Sequence, residues 1–198
     1  MGVEKRMADR CNTIRLYSFQ TDVVYQVLKR DGVCYSKEEY VRKKYKESAK
    51  VFINAYGWVV KEAQHIVPKP EGAEYPYWAF TDLYNVDQTG DGHVLTLDVP
   101  IGEAILFDMF DWTKIMQMHY IGENESEEAT FSEKLKNMGM NEFQIMTSNF
   151  YPEQKARIQE SWKRLFGHQQ AIEAGDNSGV HSVQAGLWCI KDEWIVKE

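Results

Sequence analysis

At 198 residues, with 43 % hydrophobic and 27 % charged side chains, the chain has the size and make-up of one globular domain that needs no disulfide or metal to fold. Its formal net charge of −7 weighs against non-specific nucleic-acid binding, which requires a basic surface facing the phosphates. Three cysteines (Cys11, Cys34, Cys189) without CxxC spacing, an opening "MGVEKRMADR" with no apolar core, and no apolar run near the roughly 18 residues of a span together predict a cytoplasmic protein with reduced thiols, no signal peptide and no membrane segment.

The segment 1–12 is expected to be flexible and 13–198 to form one domain. "TIRLYSF" (13–19) alternates as a strand. A helix follows in "QTDVVYQVLKRDG", capped by Thr21 or Asp22, with Val23, Val24, Val27 and Leu28 as its stripe and Gly32 as its stop. From Ser36, whose spacing to Glu39 makes a capping box, Tyr40, Val41, Tyr45, Ala49, Phe52, Ile53, Tyr56, Val59 and Val60 recur at helical spacing. Gly57 is a candidate break in that helix.

"YPYWAFTDLYNV" and "HVLTLDVP" flank the turn-rich "DQTGDG", which predicts a β-hairpin turning at Asp91-Gly92. Alternation in the first flank sets Tyr75, Tyr77 and Ala79 on one face and Pro76, Trp78 and Phe80 on the other. A short strand is expected around 105–107, then a helix from Asp108 or Asp111. "GENESEEATFSEKLKNMG" reads as a surface loop with a short helix. "YPEQKARIQESWKRLFG" reads as a helix with Ile158, Trp162, Leu165 and Phe166 on one face, and "HQQAIEAGDNSG" as a loop. The final "VHSVQAGLWCIKDEWIVKE" is read as a strand that closes the sheet. The fold class is α+β: a single domain, with a mixed or antiparallel sheet, a central hairpin and flanking helices.

The chemistry-bearing patterns are sparse. Asp87, Thr89, Asp91, Gly92, Val94 and Asp98 match the spacing of a calcium loop, but strand alternation turns Asp98 away, so a solvated loop is expected and no metal site. The five histidines (His65, His93, His119, His168, His181) are scattered, and no serine-hydrolase, Rossmann or P-loop motif occurs. The basic run "RKKYKESAK" (42–50) reads as a solvated helix face. Polar residues inside apolar segments are more informative, because such a side chain must find hydrogen bonds or face a cleft. Gln20, Thr81, Gln184 and Glu193 are expected to gather at one end of a sheet beside Trp78.

In sequence and in order, "TIRLYSFQTDVVYQVLKRDGV", "AYGWVV", "YPYWAF", "LTLDVPIGEAILFDMFDW", "SWKRLF" and "VQAGLW" resemble a bacterial and phage family, the domain of unknown function 3841. The resemblance runs from about Thr13 to Trp194 and implies a bacterial or phage cytosolic origin, but no activity. Where the family pattern has a Trp-His pair, this chain has Trp112-Thr113. A second likeness is to small ADP-ribosyltransferase-like domains, carried by "LYSFQTDVVYQVLKRDGV" and "VLTLDVP". It implies NAD as a cofactor, held by Gln20, Tyr77, Trp78 and Thr81, with Gln184 and Glu193 as catalytic residues; the usual Arg or His of the first strand is missing. The expected function is therefore a nucleotide- or NAD-handling transferase with an aromatic cleft. The alternative is a non-catalytic protein-interaction module, of the kind a phage inhibitor provides, acting through "MFDWTKIMQMHY".

Overall fold

The structure, a computed structural model, describes residues 12–39, 42 and 49–197. The expectations for the segment 1–12 and Cys11, for Tyr40, Val41 and Tyr45 of the helical stripe, and for most of the basic run 42–50 fall outside those residues.

Strand β1 (Thr13–Gln20) is followed by helix α1 (Asp22–Asp31). Gly32 ends α1 in the left-handed region at φ 75°, and its N–H bonds the Leu28 carbonyl as a C-cap. Of the predicted stripe, Val24 and Leu28 are buried, whereas Val23 faces solvent. Next come β2 (Val33–Tyr35), a short strand that the sequence did not announce, and α2 (Ala49–Ala63), which runs through Gly57 without a break. Then follow β3 (Tyr77–Phe80), β4 (His93–Pro100) and β5 (Ile105–Asp108). Helices α3 (Met109–Met116), α4 (Glu125–Asn137), α5 (Glu142–Thr147), α6 (Pro152–Ser161) and α7 (Gln169–Glu173) intervene before β6 (Val183–Leu187) and β7 (Cys189–Lys191).

The α+β class and the antiparallel sheet are as expected, and the hairpin is not. The five-stranded order is β4-β1-β3-β6-β5, so β1 lies between the two strands predicted to pair. All eight residues of β1 match β4, from Thr13 opposite Pro100 to Gln20 opposite His93, and this sets Leu16 beside Leu97 in the core. The turn residues Asp91-Gly92 instead bring the chain against the end of β1, where a Cβ on Gly92 would overlap the Gln20 carbonyl. Two more expectations give way for one reason, that polar residues hid a short apolar stripe. The acidic segment expected to be a loop with a short helix is mostly helix, the 13-residue α4, capped by Asn124 and buried through Phe131 and Leu135 four residues apart. The 168–179 loop contains α7, which buries Gln169 and Ile172.

The sheet buries a core on each face. Leu16, Leu95, Leu97, Tyr77, Ala79, Leu106, Ala185 and Leu187 meet α1 and the small β2–β7 ribbon. Phe107, Trp112, Ile115, Phe131, Ile158 and Trp162 join α2–α6 on the other. Trp78 belongs to that second side and Tyr77 and Ala79 to the first, as alternation requires. Tyr75 departs from the expected pattern. It precedes β3, bridges to Ser36 and packs with the helices.

Both sheet edges are covered. Beside β4, Leu97 bridges Ile195 and the Val196 N–H donates to the Thr96 carbonyl. Along β5 the Gln169 side chain stands in for a strand: its Oε1 accepts from the Leu106 N–H at 2.5 Å, and its Nε2 donates to the Ala104 carbonyl at 3.1 Å.

Trp78 is structural where it stands. Its Nε1 donates to the Tyr56 hydroxyl at 2.7 Å, and its ring lies 4.7 to 6.0 Å from those of Trp112, Tyr56 and Phe107. Trp78→Ala is therefore expected to lower the unfolding free energy by about 3 kcal/mol, the low end for a buried Trp because this one is only partly buried. Urea denaturation checks this, with a loss confined to the midpoint at unchanged slope expected.

Candidate functional site

The predicted residues do not converge. From the pairing of Tyr17 with Phe80, Ser18 and Gln20 share a face with Ala79 and Tyr77. Gln20 donates to the Ser18 hydroxyl at 2.8 Å, which donates to the Trp78 carbonyl at 2.7 Å, so Gln20 ties β1 to β3. The Tyr77 hydroxyl lies 3.1 Å from Cys34 Sγ under the β2–β7 ribbon. Gln184 stands between Phe80 and Phe107, on the opposite face, with Trp78. Thr81 reaches β6, its hydroxyl donating to the Val183 carbonyl at 3.3 Å. Glu193 is exposed on the 3-10 turn Asp192–Trp194, whose continuation lies along β4, the sheet edge farthest from β5. Trp78, Thr81 and Gln184 thus share the β3–β6 region, Tyr77 stands on the opposite face of the same strand pair, and Gln20 and Glu193 lie elsewhere.

Beside those three is a constellation that sequence reading missed. Asp108 closes β5 and caps α3, the usual post for Asp at a helix start. It is 4 % exposed and accepts four hydrogen bonds. The Phe110 N–H donates at 3.0 Å, the His181 N–H at 3.0 Å, the Ser182 N–H at 3.4 Å, and His181 Nδ1 lies at 2.8 Å. Burial pushes this carboxyl up, but the bonds from His181, Phe110 and Ser182 outweigh it and hold the group below its ordinary value. An ionised carboxylate only accepts, so Nδ1 carries the proton and Nε2 of the neutral ring is the free lone pair. The imidazole itself is 74 % exposed, with the Phe110 ring at 4.9 Å. The arrangement is a buried carboxylate orienting a solvent-facing histidine. It can accept a proton at Nε2 and stabilise the imidazolium that results.

The surroundings continue the polar line. Asn85 donates to the Ser182 hydroxyl at 2.7 Å, tying the turn that carries Leu83 and Tyr84 to the start of β6. Tyr84 is 92 % exposed and Phe110 50 %. Gln184 is 3 % exposed. Asp111, one turn into α3, has its carboxyl raised chiefly by burial, against the pull of Lys114.

Over residues 15–196 the chain matches the model of a family described as Domain of unknown function (DUF3841). The chain belongs to that family. No curated protein and no solved structure matches it. In this DUF3841 chain the metal question stays with the side chains. Among the described residues no group of three or more His, Cys, Asp or Glu is placed to hold an ion. The calcium-like spacing dissolves for a geometric reason: Asp98 pairs with Arg15 across the strands at 2.5 Å, while Asp87 accepts from Thr89 within its own turn. No helix among the described residues is long and apolar enough to cross a membrane.

Asp108 and His181 were legible only singly, one as a helix start and the other as a scattered histidine. Seventy-three positions separate them, and the β5–β6 pairing alone brings them together.

The lowered Asp108 value carries a pH dependence. Its stabilising bonds are fully present above the unfolded-state value, about 3.9 for Asp, and are lost as pH falls through the folded one. Asp108→Asn, which loses the charge and turns an N–H toward Nδ1, is expected to cost about 1–3 kcal/mol at pH 7. The difference from the parent chain should shrink below pH 4, and urea denaturation at pH 7 and at pH 3.5 measures both. An equal loss at the two pH values would mean that the carboxylate charge does not hold this corner.

Proposed function

We propose that this DUF3841 domain handles a nucleotide-class ligand at the β3–β6–β5 rim, with His181 as its general base and Asp108 as the group that orients it. The observation behind this reading is the buried carboxylate spent on a solvent-facing imidazole. An N-cap alone needs no ring partner, whereas proton transfer needs a fixed tautomer with its lone pair outward. The rim adds what a flat, polar ligand requires. The exposed Phe110 and Tyr84 rings offer stacking faces, a better platform than Trp78, whose ring is engaged with Tyr56, Phe107 and Trp112. The Gln184 amide, on the Trp78 face of β6, has a donor and an acceptor for a base or carboxamide edge. NAD is the first ligand to test, since its nicotinamide presents such an edge. Transfer through a Gln184–Glu193 pair is not part of the proposal, because those residues occupy different parts of the fold.

A second reading has its own observation. Leu83, Tyr84 and Phe110 are exposed apolar side chains on segments that the Asn85–Ser182 and Phe110–His181 contacts tie to the same stretch before β6, and aromatic side chains of this kind anchor protein interfaces. Under it the domain is a binding module, and His181 is a rim residue.

The two part company in a ligand titration. Calorimetry with NAD, ADP and AMP is expected to give saturable heats that Phe110→Ala removes. His181→Ala should keep binding within a few-fold and abolish turnover of the bound ligand. No heat from any nucleotide, with full stability of the variants, would overturn the nucleotide reading and leave the interface.

A further inference from the structure

We propose that the pocket beside Tyr120 is a second site, which binds the phosphate group of a small ligand. The pocket is an open depression of about 400 Å³ lined by Tyr120, Arg157, Glu160, Ser161 and Arg164, within the size range of small-molecule sites. Four of the five lining residues come from one stripe: positions 157, 160, 161 and 164 follow the i, i+3, i+4, i+7 spacing along α6 and the 3-10 turn after it. Tyr120 is supplied by the segment after α3 and stacks on Phe131 at 4.3 Å.

Two guanidiniums converge on that one ring. Arg157 lies 5.8 Å from the Tyr120 centroid and 5.0 Å from that of Phe131, and Arg164 lies 5.9 Å from Tyr120 on its own approach. Like charges gathered around one ring repel each other unless an anion sits between or beside them. Arg157 has none. Arg15, Arg30, Arg42 and Arg164 each have a carboxylate within 4.0 Å, and among the described residues Arg157 does not.

The carboxylates nearby are already taken. Glu160 faces Lys163 at 2.7 Å. Glu127 accepts from the Glu123 N–H at 2.7 Å and from the Tyr120 hydroxyl at 2.6 Å, which together with the charges of Arg164 and Arg157 hold its pKa down, and it stands 3.8 Å from Arg164. Glu123 is largely exposed and 3.5 Å from Arg164, a surface pair that contributes little and is easily exchanged. Arg164 meanwhile is aimed by a bond that an anion need not break, Nη1 donating to the Ile121 carbonyl at 2.8 Å.

Guanidiniums are suited to an oxyanion, one of these two is held in place by a backbone carbonyl, and two positive charges favour a dianion over a monoanion. Ring, guanidinium pair and cavity together specify a phosphate carried on a small body, in a protein whose overall charge would otherwise repel it.

The test follows the Arg157 and Arg164 side-chain Nε–Hε signals by NMR in the full chain, at constant ionic strength. Inorganic phosphate is expected to shift both saturably, chloride not at all, and acetate at least tenfold more weakly. Arg157→Gln should remove the saturable response while the amide spectrum keeps its native dispersion, and Arg157→Lys should weaken it at least tenfold. The lysine variant carries the comparison should the glutamine one lose its native spectrum. Shifts that follow ionic strength whatever the anion, acetate saturating as tightly as phosphate, or an Arg157→Gln chain that titrates like the parent would each overturn the site.

Discussion

Everything at the rim depends on β6 entering the middle of the sheet. Its five residues are all buried, between β3 on one side and β5 on the other, with a core against each face. Small residues make this feasible: Ala185 sits opposite Ala79, and Gly186 leaves room for Trp78 and Ile105. A strand buried on both faces must pair with long-separated partners before its burial is repaid, so its insertion is the non-local step of the fold. Its arrival places Val183 beside Asp108 and the preceding His181-Ser182 against the Asp108 carboxylate.

Asp108 therefore does two things with one charge. It caps α3 from within β5, and it stitches the entry of β6 to the exit of β5, with the Met109 N–H donating to the Ser182 carbonyl at 2.9 Å as a further tie. A buried carboxylate is costly unless its lone pairs are used, and here four donors use them. Three of the donors are backbone groups and would serve a purely structural corner. The fourth is an imidazole whose far nitrogen faces solvent, and that bond connects the architecture of the corner to proton chemistry.

The sequence reading succeeded where local signals act alone. The first strand (expected over 13–19, found as Thr13–Gln20), the helix stopped by Gly32, the strand expected around 105–107 leading into a helix and the face-splitting of Tyr77 and Trp78 all follow from periodicity and capping over a few residues. It failed where a stronger distant partner won. The turn-rich 87–92 stretch looked like a hairpin, but β1 offered β4 eight matched positions. The acidic 122–139 stretch looked like a loop with only a short helix, because only Phe131 and Leu135 mark the buried side of the 13-residue α4.

By itself the sequence determined the α+β class, a single unit large enough for its own core, an acidic surface, and family membership spread along nearly the whole chain. It also singled out Trp78, Thr81 and Gln184, because polar and aromatic residues in apolar strands are visible without coordinates. Strand order and everything across it were decided only in three dimensions. Gln20 and Gln184 fall on opposite faces of the sheet, Asp108 meets His181, and Arg157 and Arg164 share the ring of Tyr120. The reason is physical. Periodicity states which face of an element is buried, but not which distant element will cover it, and each of these sites is made of such distant partners.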